Sequence, residues 1–379
     1  MTERKGRVSA DAIDAACRLH DRAVACLEAG KRAEAERLAL RALRLMEKAA
    51  GPGHPDVANI LNCLGKVHED RGENAEAERL YRRSVDIMEK IDDDGGDVAR
   101  LRVQSLNHLA TIHRISGAYR KAEPLYRRAL GLAEKAFGRE DLEVSAVLNN
   151  LAVLYKYTAR FGEAQRLYRR ALSITEKSLG SDDPEVATIY HNLGGLEHAR
   201  GRYARGEPFA RRSVEIREKA LGPDHPDVAA DVAALAAILD GQGKLDEAEG
   251  LYRRALAVFE RTFGPEHYEI AVNYNNLAAL KHARGDNAEA ERLYRRALAI
   301  KQKVLGRDHP DVAMTLNNLA VFYKSQEQFG RAKDLLERAL KIFKASLRHR
   351  HPKVATCREN YTSLLRVIKH RGAKTPRRR

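Results

Sequence analysis

A hexapeptide related to L-Y-R-R-A-L returns along almost the whole chain, and its spacing constrains the fold more than any other feature. Its second position holds Tyr81, Tyr126, Tyr168, Tyr252 and Tyr294, and Ala210 and Leu336 in two further copies. From residue 126 onward every step is 42 residues, and a degenerate first copy places Ala39 42 residues before Tyr81. The one longer step, of 45 residues, contains the acidic segment I-D-D-D-G-G-D at 91–97. A fixed period of this length indicates eight stacked structural repeats, followed by a half-copy at 351–365.

Each repeat carries the pattern of two helices joined by a short turn. The first helix is predicted to begin at the proline of H-P-D-V-A, because proline suits a position where its missing N–H would be unpaired (Pro55, Pro226, Pro310). Its apolar residues have the i, i+3, i+4, i+7 spacing of one buried face (Leu316, Leu319, Ala320, Tyr323). The second helix ends at L-G, where Gly306 is expected to supply a left-handed turn. No segment alternates with period two, so we expect an all-α chain without strands.

Composition indicates what kind of partner the protein could bind and in which compartment it is expected. The formal net charge is +15 with a pI near 9.6, so an acidic partner must be considered. The cysteines have no C-x-x-C or zinc-like spacing, which suggests buried apolar residues in a reducing compartment (Cys17, Cys26, Cys63, Cys357). The N-terminus lacks an apolar segment and no run of 18 apolar residues occurs. We therefore expect a cytoplasmic protein that does not bind membranes.

No motif in the sequence indicates catalysis or a metal. G-x-x-x-x-G-K-[ST], G-x-G-x-x-G, H-E-x-x-H and G-x-S-x-G are absent. His191 and His198 lie on one predicted helix, with no acidic or thiol companion at ligand spacing. The histidine of H-P-D-V-A recurs at the start of first helices, where capping or packing is its expected role (His54, His225, His309, His351). The acidic segment Asp92–Asp94 lacks the residue order of a calcium loop and is interpreted as a solvated insertion. These observations predict a protein that is not an enzyme and has no cofactor and no metal.

The repeats resemble tetratricopeptide repeats. In residues 148–172 the matching positions are Leu151, Ala152 and Tyr155 in the first helix, and Ala164, Tyr168 and Ala171 in the second. The 42-residue length and the L-G-x-D-H-P-D-V-A linkers are similar to the form found in kinesin light chains. The resemblance implies a right-handed superhelical solenoid over residues 10–370, whose concave face is lined by first helices and whose half-copy is a capping helix. Residues 1–9 and 371–379 are then expected to be a flexible N-terminus and a disordered basic tail.

Adjacent asparagines inside the predicted first helices are the main candidates for a binding site. Since the apolar stripe packs against neighbouring helices, the amides should face the concave groove. An amide has both donors and acceptors, so it can bind the backbone of an extended peptide whatever its side chains. The alternative is that the amides bridge neighbouring helices and bind nothing. A bridge would not need both positions of a pair, which favours peptide binding. The predicted residues are Asn107, Asn149, Asn150, Asn192, Asn275, Asn276, Asn317 and Asn318.

Two lysines refine this prediction. Lys156 and Lys324 follow the clearest asparagine pairs by seven residues, 156 minus 149 and 324 minus 317, which suggests a peptide with some acidic character. The pattern breaks at Ala233 and Ala234, so two subsites are favoured over one continuous groove.

The arginine pairs of L-Y-R-R-A-L support a second hypothesis. The first arginine usually has a glutamate four residues earlier, which stabilises a helix (Glu78, Glu123, Glu207, Glu249, Glu291). The second arginine lacks that partner, so we expect a positive rib on the convex face, joined by the basic tail. Such a rib favours RNA or DNA binding through phosphates. Self-association through the open ends of the array is a third possibility. The preferred function is a scaffold or adaptor that binds a peptide segment of another protein.

Overall fold

The computed structural model describes residues 2–92, 95–347 and 351–374, and within them the chain is all-α, with seventeen helices and no strand. The first helices of the repeats are α1 (Thr2–Glu28), α3 (Pro55–Asp70), α5 (Gly96–Ile115), α7 (Leu142–Tyr157), α9 (Pro184–Ala199), α11 (Pro226–Gly241), α13 (Tyr268–Ala283), α15 (Pro310–Ser325) and α17 (Pro352–Lys374). The second helices are α2 (Arg32–Ala50), α4 (Asn74–Met88), α6 (Tyr119–Phe137), α8 (Phe161–Leu179), α10 (Tyr203–Leu221), α12 (Leu245–Phe263), α14 (Asn287–Leu305) and α16 (Phe329–Ser346). The described helices thus form eight pairs and one further helix, α17, and the predicted all-α repeat fold is confirmed.

The repeated tyrosine lies in the core of its helix pair. Tyr81, Tyr126, Tyr168 and Tyr252 have no exposed surface, and Tyr294 is 3% exposed. The residues that replace it, Ala39, Ala210 and Leu336, are equally buried. The predicted stripe of α15 is buried as well, from Leu316 to Tyr323. Burial of one face of each helix stabilises such pairs, because most of the stability of helices in proteins comes from packing of an apolar face.

Histidine caps several first helices, as the sequence suggested. Nδ1 of His54, His225 and His309 accepts a hydrogen bond from the backbone N–H two residues later, at 3.1–3.2 Å. Proline occupies the first helical position in each case. Asp183 makes the same cap for α9, from Glu185 N at 2.8 Å. An acceptor at this position satisfies one of the amide groups that a helix leaves unpaired at its start.

The end of the second helix differs in detail from the expectation. Gly306, which follows α14, has φ 83° and ψ 160°. The positive φ is as predicted, but ψ is extended rather than left-handed helical. This region of backbone space is accessible essentially to glycine alone, so the position requires glycine for a different reason than the one expected.

Contacts divide the chain into two compact units, Met1–Leu154 and Tyr155–Arg379, and the division falls within α7. In both units a first helix packs against its own second helix and against the next first helix, as α13 does against α14 and α15. One continuous solenoid over 10–370 stays a prediction. Helix α1 begins at Thr2 and α17 reaches Lys374, so both extend into the predicted flexible ends. Asp93, Asp94 and residues 375–379 lie outside the described residues.

Candidate functional site

The predicted asparagines join consecutive first helices. In the first unit Asn150 Nδ2 donates to Asn107 Oδ1 at 3.2 Å. In the second unit Asn318 Nδ2 donates to Asn275 Oδ1 at 3.4 Å, and Asn360 Nδ2 to Asn317 Oδ1 at 3.0 Å. Each bond spans 43 residues, one repeat plus one position. A bridge therefore uses the second position of one repeat and the first position of the repeat before it. The argument that a bridge would not need both positions was wrong.

Bonds within the pairs connect these bridges. Asn275 Nδ2 approaches Asn276 Oδ1 at 3.3 Å, and Asn317 Nδ2 approaches Asn318 Oδ1 at 3.5 Å, both long and therefore weak. In the second unit the amides thus form a chain that runs from Asn360 to Asn276. An asparagine side chain has two donors and two acceptor sites, so each amide inside the chain keeps one donor and one acceptor.

The predicted site residues are only partly accessible. Asn275 is buried, with 6% of its surface exposed. The others are half-buried on their first helices (Asn107, Asn149, Asn150, Asn192, Asn276, Asn317, Asn318, Lys156, Lys324). Hydrogen bonds bring together Asn107 with Asn150, and the pairs of α13 and α15 with each other.

Both predicted lysines lie against the following first helix. Lys324 Nζ donates to Ser363 Oγ at 2.7 Å, 39 residues later. Lys156 Nζ lies beside Gly195, also 39 residues later (195 minus 156), where an added Cβ would be 3.3 Å from the ammonium group. These two cations are therefore held in place beside the row of first helices.

Helix α11, where alanines interrupt the asparagine pattern, contributes instead to a buried ionic network. Asp231 on α11 has no exposed surface. It lies 2.7 Å from His191 Nδ1, and Arg217 donates to both of its oxygens at 3.0 Å. Arg217 also donates to Thr188 Oγ1 at 2.6 Å. The spacing of residues along the sequence did not reveal this acidic partner of His191, because the partner comes from the next first helix, 40 residues away.

In the first unit, Asn62 on α3 is joined to the next first helix, α5, by hydrogen bonds that lie in the core. Asn62 Nδ2 donates to Ser105 Oγ at 3.0 Å, and Ser105 Oγ lies 2.7 Å from Ser84 Oγ. All three side chains are buried. The serines were not predicted from the sequence. Asn62 and Ser105 are 43 residues apart, the same separation as that of the bridged asparagines, so polar residues at this separation are the signal that could have identified them.

The arginine pairs are more fully neutralised than expected. All five predicted ion pairs between the first arginine and the glutamate four residues earlier are present (Glu78–Arg82, Glu123–Arg127, Glu207–Arg211, Glu249–Arg253, Glu291–Arg295). In four of the six pairs the second arginine, expected to be unpaired, reaches an acid that precedes it by 30–39 residues (Glu47–Arg83, Glu89–Arg128, Asp182–Arg212, Glu218–Arg254). A continuous rib of unpaired arginines was therefore a wrong expectation, and the charge left for phosphate contacts is smaller.

Metal-binding clusters and membrane-spanning helices are both absent from the residues with a described structure. No group of three or more His, Cys, Asp or Glu side chains there is arranged to hold a metal ion. No helix in the same ranges is long and apolar enough to cross a membrane.

Solved structures with similar folds include two Rap proteins and BtubC. A Rap protein complexed with competence and sporulation factor has 13% identity and a TM-score of 0.61, covering 94% of this chain and 99% of that chain. The Rap conjugation gene regulator of plasmid pLS20, in complex with the Phr* peptide, has 14% identity and a TM-score of 0.59, covering 74% and 72%. BtubC from P. vanneervenii has 22% identity and a TM-score of 0.47, covering 69% and 92%. At these identities the likeness is one of fold.

The family can be assigned from the sequence. A comparison with curated proteins gave no match. The tetratricopeptide repeat pattern matches residues 14–90, 101–177, 185–261, 230–303, 269–345 and 311–366, which together include most of the chain. The helix pairs and their buried tyrosines agree with that match. The chain belongs to the tetratricopeptide repeat family.

Proposed function

We propose that this protein is a scaffold that binds an extended segment of a partner protein along its first helices. The observation that carries the proposal is the row of half-buried asparagine amides on consecutive first helices, which retain hydrogen-bonding capacity after bridging one another. Solved Rap structures support it, because proteins with this fold form complexes with competence and sporulation factor and with the Phr* peptide.

The amides would act on the peptide backbone. Each peptide unit offers one N–H and one C=O, which a single asparagine side chain can match with its remaining acceptor and donor. Bonds among the asparagines fix the orientation of these groups, so less entropy is lost when a peptide binds.

The division into compact units favours one subsite in each. The first subsite consists of Asn107, Asn149 and Asn150. The second consists of Asn275, Asn276, Asn317 and Asn318, with Lys324 at its edge. Asn192 and Lys156 belong to the same unit but lie before the break at Ala233 and Ala234. The ammonium groups held beside Gly195 and Ser363 favour carboxylate side chains in the bound peptide.

The proposal can be tested by selecting peptides that bind, and then by changing first the asparagines of the protein and second the backbone of the peptide. Peptides selected from a random library on the full chain would be measured against the parent protein and two variants, Asn107/Asn149/Asn150→Ala and Asn275/Asn276/Asn317/Asn318→Ala. Since each hydrogen bond contributes about 0.5–1.5 kcal/mol, we expect a given peptide to bind at least about tenfold more weakly to one variant. N-methylation of the peptide backbone should weaken binding to the parent similarly.

A matched control is available on α13. Asn273 has no exposed surface and its side chain bonds to Glu269 O of its own helix at 2.9 Å. Asn273→Thr uses the residue that the next repeat has at this position, Thr315, and should leave binding unchanged. Equal affinities for the parent and both alanine variants, at equal helicity, would make the asparagines structural. Loss of binding after nuclease treatment or in moderate salt would direct attention to nucleic acid.

A further inference from the structure

The residue seven positions after the repeated tyrosine is buried in every repeat. No member of this set is more than 8% exposed, and most are apolar (Met46, Met88, Ala133, Thr175, Arg217, Phe259, Lys301, Phe343). Cations occupy the position twice, at Arg217 and at Lys301. A charge in a core position has to be paired, because an unpaired charge there loses its hydration without compensation.

Among the described residues, only one of the two cations has a carboxylate within 4.0 Å. Arg217 is paired with Asp231, 14 residues later. The residue 14 positions after Lys301 is Thr315, which is fully buried and whose hydroxyl group donates to Asp311 O at 3.3 Å. Lys301 is 4% exposed, and no carboxylate oxygen of a described residue lies within 4.0 Å of its Nζ. The ammonium group of Lys301 therefore lacks the counterion that its counterpart has.

A second lysine lies in the same neighbourhood. Lys301 Nζ is 5.9 Å from the ring centroid of Tyr268, and the Tyr268 hydroxyl donates to Asp311 Oδ2 at 2.7 Å. Lys353 follows the first residue of α17, with its Nζ 5.6 Å from the ring of Tyr157 and, in the described ranges, no carboxylate within 4.0 Å. All five residues belong to the second compact unit.

Lys301, Lys353 and Asp311 influence one another's pKa values. Burial opposes ionisation of Asp311, but Lys301 and Lys353 both act on its carboxylate and its pKa is lowered. The pKa of each lysine is lowered by burial, an effect that Asp311 only partly offsets. The other nearby carboxyl group is that of Glu269, whose pKa is raised by burial, so it is poorly suited to serve as a counterion. One carboxylate, already bonded to a tyrosine, thus faces two ammonium groups.

We propose that Lys301 and Lys353 form two sides of a site for one oxyanion, a phosphate or carboxylate group taken from solution. Each lysine has three donors. An oxyanion placed between them would supply the negative charge that Asp231 gives to Arg217 and that Thr315, at the same position, cannot give to Lys301. The half-buried states of Tyr157, Tyr268 and Lys353 leave the site open to solvent on one side. The proposal does not depend on peptide binding, because the anion would bind to the chain alone.

Thermal unfolding of the full chain in inorganic phosphate, in acetate and in chloride of equal ionic strength would test this site. We expect a saturable rise in Tm in phosphate or acetate but not in chloride, of about 2 °C or more at tenfold excess over Kd. A response to phosphate alone would identify a phosphate site, and a response to acetate would identify a carboxylate site. Lys301→Met and Lys353→Met should each lose the rise. Lys344→Met, at an exposed position of α16, should keep it.

Two variants distinguish loss of the anion site from failure of the chain to fold. Lys301→Met is expected to fold, because Met46 and Met88 occupy the same position in other repeats. Thr315→Asp would place a carboxylate where Asp231 pairs with Arg217, and should abolish the response to the anion by supplying it internally. The proposal would be overturned if neither anion raises the Tm of the parent protein, or if Lys301→Met and the parent respond equally.

Discussion

At the scale of single residues, a few side chains decide how neighbouring repeats are joined. The asparagines were found in the sequence, but their bridging partners were not. Comparison of repeats aligns residues 42 positions apart, whereas the amides that meet across two first helices are 43 apart. Asp231 was missed for a similar reason, since its partners His191 and Arg217 lie on two other helices, 40 and 14 residues earlier, and only the packing of helices brings them together.

Removal of Asp231 should strongly destabilise the protein. Asp231→Ala would leave the Arg217 charge buried and unpaired, so we expect the free energy of unfolding to fall by about 3–5 kcal/mol, measured by urea denaturation. Asp227→Ala on the same helix, where the side chain is 64% exposed, should cost less than about 1 kcal/mol. Combining Asp231→Ala with Arg217→Met should restore much of the loss. A decrease below 1 kcal/mol for Asp231→Ala would contradict the buried pair.

At the scale of helices and turns, the sequence predicted nearly every element, because proline, glycine and apolar spacing repeat together. The exceptions are two turns that lack glycine. Between the first and second helices, Gly72, Gly117, Gly201, Gly243 and Gly285 have positive φ, while Ala159 and Glu327 adopt φ 60° at the equivalent positions. An L-residue is strained in this conformation by about 1–2 kcal/mol, and sequence patterns alone do not show that the turn is retained without glycine.

Glycine at one of these turns should therefore stabilise the chain. Ala159→Gly removes the strain at φ 60°, and the greater entropy of glycine in the unfolded chain offsets part of the gain. We expect a net increase of about 0.5–1 kcal/mol in the free energy of unfolding. The reverse change, Gly201→Ala at φ 69°, should lower it by a similar amount. Chemical denaturation of both variants decides the matter, and a loss of stability in Ala159→Gly would argue against a strained turn.

The histidine caps should be replaceable by aspartate. His225 Nδ1 accepts from Asp227 N at 3.2 Å, whereas Asp183 makes the equivalent bond to Glu185 N at 2.8 Å. We expect His225→Asp to preserve stability and His225→Ala to cost about 1 kcal/mol. Urea midpoints of the two variants give the comparison, and equal midpoints would mean that the imidazole does not cap α11.

At the scale of the whole molecule, charge is where sequence reasoning was weakest. The net charge of +15 is correct, but the partners of the second arginines come from the preceding repeat and could not be found by counting positions along one helix. The family likewise could be predicted from the repeats, while the ligand could not, because the fold is compatible with many ligands.

Stability should fall in mildly acidic solution. Burial lowers the pKa of His113 and His351 from the ordinary 6.5, so both are neutral in the folded protein near pH 7. In His351, Nδ1 accepts from Lys353 N at 3.1 Å while Nε2 donates to Tyr157 O at 2.8 Å, and only the neutral ring can do both. Unfolded histidine binds protons first, so the contribution is complete above pH 6.5 and is lost as the pH falls toward the folded pKa values.

Denaturation at pH 7.5 and 5.5 measures this dependence. We expect a loss on the order of 1–2 kcal/mol between these values, and a smaller loss in His351→Asn, which keeps an acceptor for the cap. A pH dependence identical in His351→Asn and the parent would remove His351 from this account.

The 43-residue amide bridge also bears on how such a gene can change length. Unequal recombination between two repeats removes or adds 42 residues at once. Deletion of residues 310–351 would place Asn360 at position 318, again 43 residues after Asn275, and the bridge would re-form. Deletion of residues 268–309 would instead set Asn318 opposite Ala233, where no amide can accept. A repeat can therefore be lost or gained without loss of a bridge only where neighbouring repeats share the asparagines. We expect variation in repeat number among descendants of this gene to occur mainly in those repeats.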